Sequence, residues 1–221
     1  MLMRLKMITF LLIAGLLIGC NSVSAQVSVP FPGTRTVLPL FRPALTQLQE
    51  HTHIPVVLPT WIPTDALVPS PNGKPQPYID VPLTRDGHFQ QISVSITTNA
   101  SNAYELSLDA TPNCQGASHC SFGLLAGQQV YRDTPSIQSE YAFENQPDFQ
   151  PIARSPEAMG EVTLAQGIHG YFVPFVCGAN CDTSKIIWEQ NSYRYRVGIR
   201  MASKATMIRF ANSVIENELK P

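Results

Sequence analysis

The chain has 221 residues, of which 44% are hydrophobic and only 14% charged, with 19 prolines and a formal net charge of −1. That composition permits one domain with a real core. It argues against a coiled coil, a collagen-like repeat, a disordered polyampholyte, or a nucleic-acid binder, which carries a basic excess.

The first residues, MLMRLKMITFLLIAGLLIGCNSVSAQ, place Arg4 and Lys6 before an apolar run over 8–19. As a helix that run is about 18 Å long, too short for a bilayer core of about 30 Å. It fits the apolar region of a signal peptide. Two cleavage points compete. Leu17-Ile18-Gly19-Cys20 resembles a bacterial lipobox, in which the cysteine is lipidated and becomes the new N-terminus. Val23-Ser24-Ala25 before Gln26 resembles an ordinary signal-peptidase site. The preferred expectation is a lipoprotein signal over 1–19, with Cys20 as the acylated residue and the membrane as partner through that lipid. Soluble export is the alternative. Removing residues 1–19 leaves 13 Lys and Arg against 16 Asp and Glu, a weakly acidic body at −3. Residues 20–41 are small, polar and proline-containing and read as a tether.

The body is expected over 42–221 as a single domain. Pro43 followed by ALTQLQEHT predicts a short first helix, with Leu45 and Leu48 facing the core. Ile54-Pro55-Val56-Val57-Leu58-Pro59 reads as an extended segment that its prolines restrict to a sheet edge or a strand end. Residues 60–77 hold five prolines and Asn72-Gly73 and read as loop and turn. Over 91–98, Ile92, Val94 and Ile96 alternate with polar residues. After a turn at 99–102, Tyr104, Leu106 and Leu108 alternate with Glu105, Ser107 and Asp109. This is the period-two pattern of a half-buried antiparallel sheet, with solvation the default for Glu105 and Asp109. A further strand is expected within 121–130.

Residues 132–161 have four prolines and no sustained period. They are expected to form a packed excursion with a helical turn near 136–143, or a flap. Strands resume at 161–164 and 167–176. A hairpin of 185–190 and 193–201 turns at Asn191-Ser192. Tyr193, Tyr195, Val197, Ile199 and Met201 share one face, and Arg194, Arg196 and Arg200 the other. Ser203 is a good helix cap. A last helix over 204–219 would lay Met207, Ile208, Ala211, Val214, Ile215 and Leu219 on the sheet. The expected fold class is therefore α+β: a mostly antiparallel twisted sheet packed against a C-terminal helix, with a second short helix near the start.

Besides Cys20 there are four cysteines, in CQGASHC and CGANC. Four allow three pairings. Export favours disulfides, and the tight Gly-, Ala-, Asn- and Ser-rich loops favour the local pairs Cys114–Cys120 and Cys177–Cys181. Crossed pairs, or a zinc site with His119 as an added ligand, stand as alternatives. The spacings depart from the two-residue zinc knuckle, and the two-residue redox motif is absent.

No nucleophile elbow, metalloprotease helix, phosphate loop or dinucleotide fingerprint occurs, and no cofactor or metal is expected. His51 and His53 fall at a helix end, where their spacing splays them. His169 sits between Gly167 and Gly170 at a strand bend, as a packed polar residue or a site residue. Trp61 and Trp188 read as core or edge aromatics before a sugar platform. Residues 185–209 carry a local charge of +5 and 133–161 one of −5. Both may be read as solvated surfaces. Alternatively the acidic excursion folds over the basic face, or Arg194, Arg196 and Arg200 bind an anionic envelope ligand such as a headgroup phosphate or an acidic polysaccharide.

The C-terminal quarter combines Gly170–Pro174 as Gly-Tyr-Phe-x-Pro, Cys177–Cys181 as Cys-Gly-x-x-Cys, a strand with Trp188, one with Tyr193 and Tyr195, and Ala211–Ser213 as Ala-Asn-Ser. In this it resembles a group of uncharacterised exported proteins, chiefly cyanobacterial. The resemblance implies an envelope address and transfers no activity or catalytic residue. The function expected is a non-catalytic binding or scaffolding domain held at the membrane. The alternative is a soluble periplasmic ligand-binding protein or hydrolase, with a site between the sheet and the 132–161 excursion. A concave pocket lined by His169, Arg194 and Arg196 would favour the second reading. A filled core with shallow grooves would favour the first.

Overall fold

A computed structural model describes residues 37–63, 67–69, 75–77, 91–142, 151, 153–178 and 181–218. The signal segment, Cys20 and most of the tether lie outside the described residues.

The body begins earlier than the sequence reading places it. Residues 39–41 form a 3₁₀ turn, and Phe41, expected in the tether, is fully buried. Its aromatic ring is too large an apolar surface to leave in water next to a core it can reach. Helix α1, Arg42–Gln49, follows with Pro43 in its first turn. It buries Ala44 and Leu48, and Leu45 packs partly against the same core. The 54–59 segment joins no sheet. Ile54, Val57 and Leu58 are buried, and the Val57 amide donates to the Tyr104 hydroxyl at 3.2 Å. Proline-interrupted backbone has too few free N–H groups to pair as a strand, so it packs by side chains instead. Within the expected 60–77 loop, β1 (Leu67–Pro69) and β2 (Pro75–Pro77) pair as a short antiparallel hairpin.

The main sheet has seven strands, every neighbouring pair antiparallel. They are β3 (Ser93–Ala100), β4 (Ala103–Asp109), β5 (Ser121–Gln129), β7 (Gly160–Thr163), β8 (His169–Val173), β10 (Thr183–Gln190) and β11 (Tyr193–Arg200). Their order is β3-β4-β5-β11-β10-β8-β7, two meanders joined where β5 meets β11. Between them come the one-turn helix α2 (Ile137–Glu140) and a minor pair formed by β6 (Ala153–Arg154) and β9 (Val176–Cys177). Asn191 and Ser192 both take positive φ, the geometry that lets a two-residue turn follow the twist of the β10–β11 hairpin.

Helix α3, Lys204–Glu218, closes one face of the sheet. Ser203 caps it, accepting from the Thr206 amide at 3.2 Å, and the Glu157 carboxylate accepts from the Lys204 amide at 2.7 Å. Met207, Phe210, Ala211, Val214 and Ile215 are buried against the strands. Beneath them one row crosses the sheet as Leu106, Leu125, Val197, Ile186 and Phe172, and the next as Tyr104, Gly127, Tyr195, Trp188 and Gly170. The second row sets very large side chains beside glycines. A Cβ on Gly127 would lie 2.4 Å from the Tyr104 ring, so only glycine lets the tyrosine lie flat across β5. The fold is thus α+β, a seven-stranded antiparallel sheet under a C-terminal helix with a short helix early in the chain.

Candidate functional site

The opposite face of the sheet carries the residues with chemical potential, because the period of two puts Glu105, Ser107, Asp109, Arg194 and Arg196 there. One register row reads Glu105, Ala126, Arg196, Ile187 and Tyr171 from β4 to β8. Two covers close over it, each fastened by arginine.

The first cover is the start of the excursion. Ser136 caps α2, accepting from the Ser139 amide at 3.2 Å. Tyr141 is buried on Val173 and Ile187. Arg194 beneath it is only 5% exposed. Its Nη1 donates to Glu140 at 2.7 Å, its Nη2 to Glu189 at 2.6 Å and to the Pro135 carbonyl at 2.5 Å. Arg196 donates to Glu105 at 2.7 Å. Burial by itself would lower the Arg196 pKa. Hydrogen bonding and Coulombic attraction from Tyr141 and Glu105 outweigh it and hold the guanidinium above its ordinary value. The anions that meet Arg194 and Arg196 therefore come from this chain: Glu140 at the start of the excursion, Glu189 on β10 and Glu105 on β4. His169 is apart from them, exposed at the start of β8 beside edge strand β7.

The second cover is the disulfide loop between β4 and β5. Cys114 and Cys120 are bonded, as are Cys177 and Cys181. The pairing is local, and the four thiols are consumed, which displaces the zinc alternative. Among the described residues no group of three His, Cys, Asp or Glu could hold a metal. The 114–120 loop folds back over β4. Gln115 and Gly116 take positive φ, and a Cβ on Gly116 would lie 2.7 Å from Thr97 Cγ2. The loop carbonyl of Ser118 accepts from Arg200 Nη2.

Under that loop Asp109 is fully buried, which corrects the expectation of a solvated carboxylate. It accepts from Ser95 Oγ at 2.6 Å, Ser107 Oγ at 2.5 Å and the Gly116 amide at 3.4 Å, while Ser107 and Ser121 hydroxyls lie 2.7 Å apart. No cation neutralises it among these contacts. The site survives because three donors replace lost water. Period-two reasoning put Asp109 on the correct face but could not see the loop above it. The only sequence hint was that CQGASHC follows Asp109 closely enough to fold back.

Two expected results follow from the fastenings. Arg194→Ala should cost about 1–3 kcal/mol, since charge-assisted hydrogen bonds are lost. Glu140→Gln should cost about 1 kcal/mol or less, because that carboxylate is 37% exposed. Hydrogen exchange across 137–141 checks both: unchanged protection in Arg194→Ala would show that α2 is held by Tyr141 alone. Cys177→Ser and Cys114→Ser should each cost about 2 kcal/mol on the loop-entropy account. Unchanged melting of either variant under oxidising conditions would remove that contribution.

Comparison with protein-family models, with curated proteins and with solved structures finds no match to this chain. Its two disulfides mark a protein that folds in an oxidising, non-cytoplasmic compartment. No helix among the described residues is long and apolar enough to cross a membrane.

Proposed function

We propose that this chain is an exported envelope protein, lipid-anchored at Cys20, that displays a non-catalytic binding or scaffolding domain. The carrying observation is that the arginines of the polar sheet face direct their donors to acceptors within the chain. Where a periplasmic hydrolase or ligand-binding protein would keep a cleft, Glu140, Glu189 and the Pro135 carbonyl occupy the donors of Arg194. The address rests on Arg4, Lys6, the apolar run, Cys20 and the disulfides.

Intact mass of protein from a bacterial membrane fraction, before and after reduction, tests the reading. The expected species starts at Cys20, carries diacylglycerol and acyl chains, and gains about 4 Da when two disulfides are reduced. A lipid-free species starting at Gln26 would replace the anchored protein with a soluble exported one.

A further inference from the structure

In the basic stretch Lys185 pairs with Asp182, and Arg194 and Arg196 pair with glutamates. Of the other cations there, Arg200 on β11 donates to the Ser118 carbonyl, and Lys204 and Arg209 stand on α3. Arg209 is exposed and lies over the Trp61 ring at 4.1 Å from its centroid. Trp61 is itself set edge-on against buried Phe210 at 6.4 Å. The indole face thus attracts the guanidinium and strips water from the side turned toward it. Among the described residues no carboxylate pairs with Arg209, so its N–H edge is available for a bidentate oxyanion.

Three and seven residues on, Asn212 and Glu216 share that side of the helix. Asn212 Oδ1 is committed to the Ala165 amide at 2.7 Å, which fixes the side-chain orientation. Its Nδ2 donors have no acceptor among the described residues. Together with Thr60 and Ile208, these residues line a groove of about 630 Å³, within the range of small-molecule sites.

We infer that this groove binds an acidic sugar unit. The carboxylate would sit on Arg209 and the Asn212 amide, and hydroxyls would donate to Glu216. The spacing selects this ligand class. Arg209 and Glu216 are about 10 Å apart along the helix. A free phosphate would occupy the cationic end and leave the Glu216 carboxylate unmatched, and the ammonium of a free α-amino acid lies too close to its own carboxylate to span that distance. A uronate joined to a neighbouring sugar offers an oxyanion at one end and hydroxyl donors at the other. The inference deepens the binding half of the proposed function and stands apart from the lipid anchor, so the mass measurement and the titration below can fail independently.

The test is a titration of the full exported protein with oligogalacturonate, read by tryptophan fluorescence and by calorimetry. Neutral oligogalactose of the same length and phosphatidylglycerol vesicles are the other arms. Saturable binding of oligogalacturonate is expected, with no response to the neutral oligosaccharide. Arg209→Ala should weaken it at least about tenfold, the size of a lost charged hydrogen bond. Arg209→Lys should weaken it by less. Because Arg209 is exposed, both variants should melt within a degree or two of the parent. Trp61→Phe should weaken binding by less than Arg209→Ala and remove most of the fluorescence change, since Trp188 is buried. Equal affinity for the neutral sugar, binding untouched in Arg209→Ala, a flat titration, or binding to the vesicles alone would each overturn the site.

Discussion

Replacing Asp109 with alanine is expected to destabilise the protein by about 2–4 kcal/mol, more than any other substitution on the polar face. The loss is not that of one contact. The carboxylate collects Ser95, Ser107 and the Gly116 amide, and its removal takes the acceptor from buried Ser107 and from half-buried Ser95 and Gly116. It also releases the middle of the 114–120 loop from β4, so the Cys114–Cys120 bridge would be left to hold a loop without its central anchor. In a chain of this size each kcal/mol moves the melting temperature by roughly 2–4 °C, so a fall of about 5–15 °C is expected. Asp109→Asn should lie between, because it keeps an acceptor oxygen but turns an amide N–H₂ toward donors. A double-mutant cycle with Ser107→Ala should show strong coupling. A fall of under a degree or two for Asp109→Ala would mean the disulfide alone sets the loop.

Trp188→Ala should cost about 3–5 kcal/mol, the usual range for deleting a fully buried aromatic. Trp188 sits in the central strand pair, with Tyr195 across from it at 5.5 Å between ring centroids and Gly170 on its other side. Neither neighbour can collapse into the space, since Gly170 has no side chain to offer. Trp188→Phe should be far milder, within about 1–2 kcal/mol. The indole Nε1 is buried with no hydrogen-bond partner among the described residues, so phenylalanine removes an unsatisfied donor while shrinking the ring. Urea unfolding of the two variants checks the contrast. Equal destabilisation by both would show that the indole N–H contributes favourably after all.

Much of the fold could be read from residue pattern. Alternation over 91–98 and 103–109 announced β3 and β4, and the Tyr/Val/Ile face of 193–201 announced β11, because one wet and one dry face impose period two. Ser203 and the spacing of Met207, Ala211, Val214 and Ile215 announced α3. The places that escaped have physical reasons. Phe41 was assigned to the tether because it ends a long stretch rich in small, polar and proline residues, and only the core it enters makes burial favourable. Phe210 was missed as a core residue of α3, although it is fully buried there. The short β1–β2 pair lies in proline-rich sequence that reads as turn. For Arg194, Arg196 and Arg200, sequence placed them on one face but left their anion open among solvent, an external ligand and the acidic excursion. The answer came from three places: Glu140 on α2 with Glu189 on β10 for Arg194, Glu105 on β4 for Arg196, and the Ser118 carbonyl of the disulfide loop for Arg200.

Sequence by itself determined the antiparallel strand pattern, the C-terminal helix and the local character of the cysteine loops, since each depends on neighbours within a few positions. Tertiary structure alone decided that Asp109 is buried, and that the arginines of the basic strand find acceptors within the chain while Arg209 on α3 meets no carboxylate among the described residues. Those outcomes turn on contacts between segments far apart in the chain, such as Arg196 with Glu105 across 91 positions. Residue periodicity carries no information at that range, because it reports which face a side chain takes and not what later closes over it.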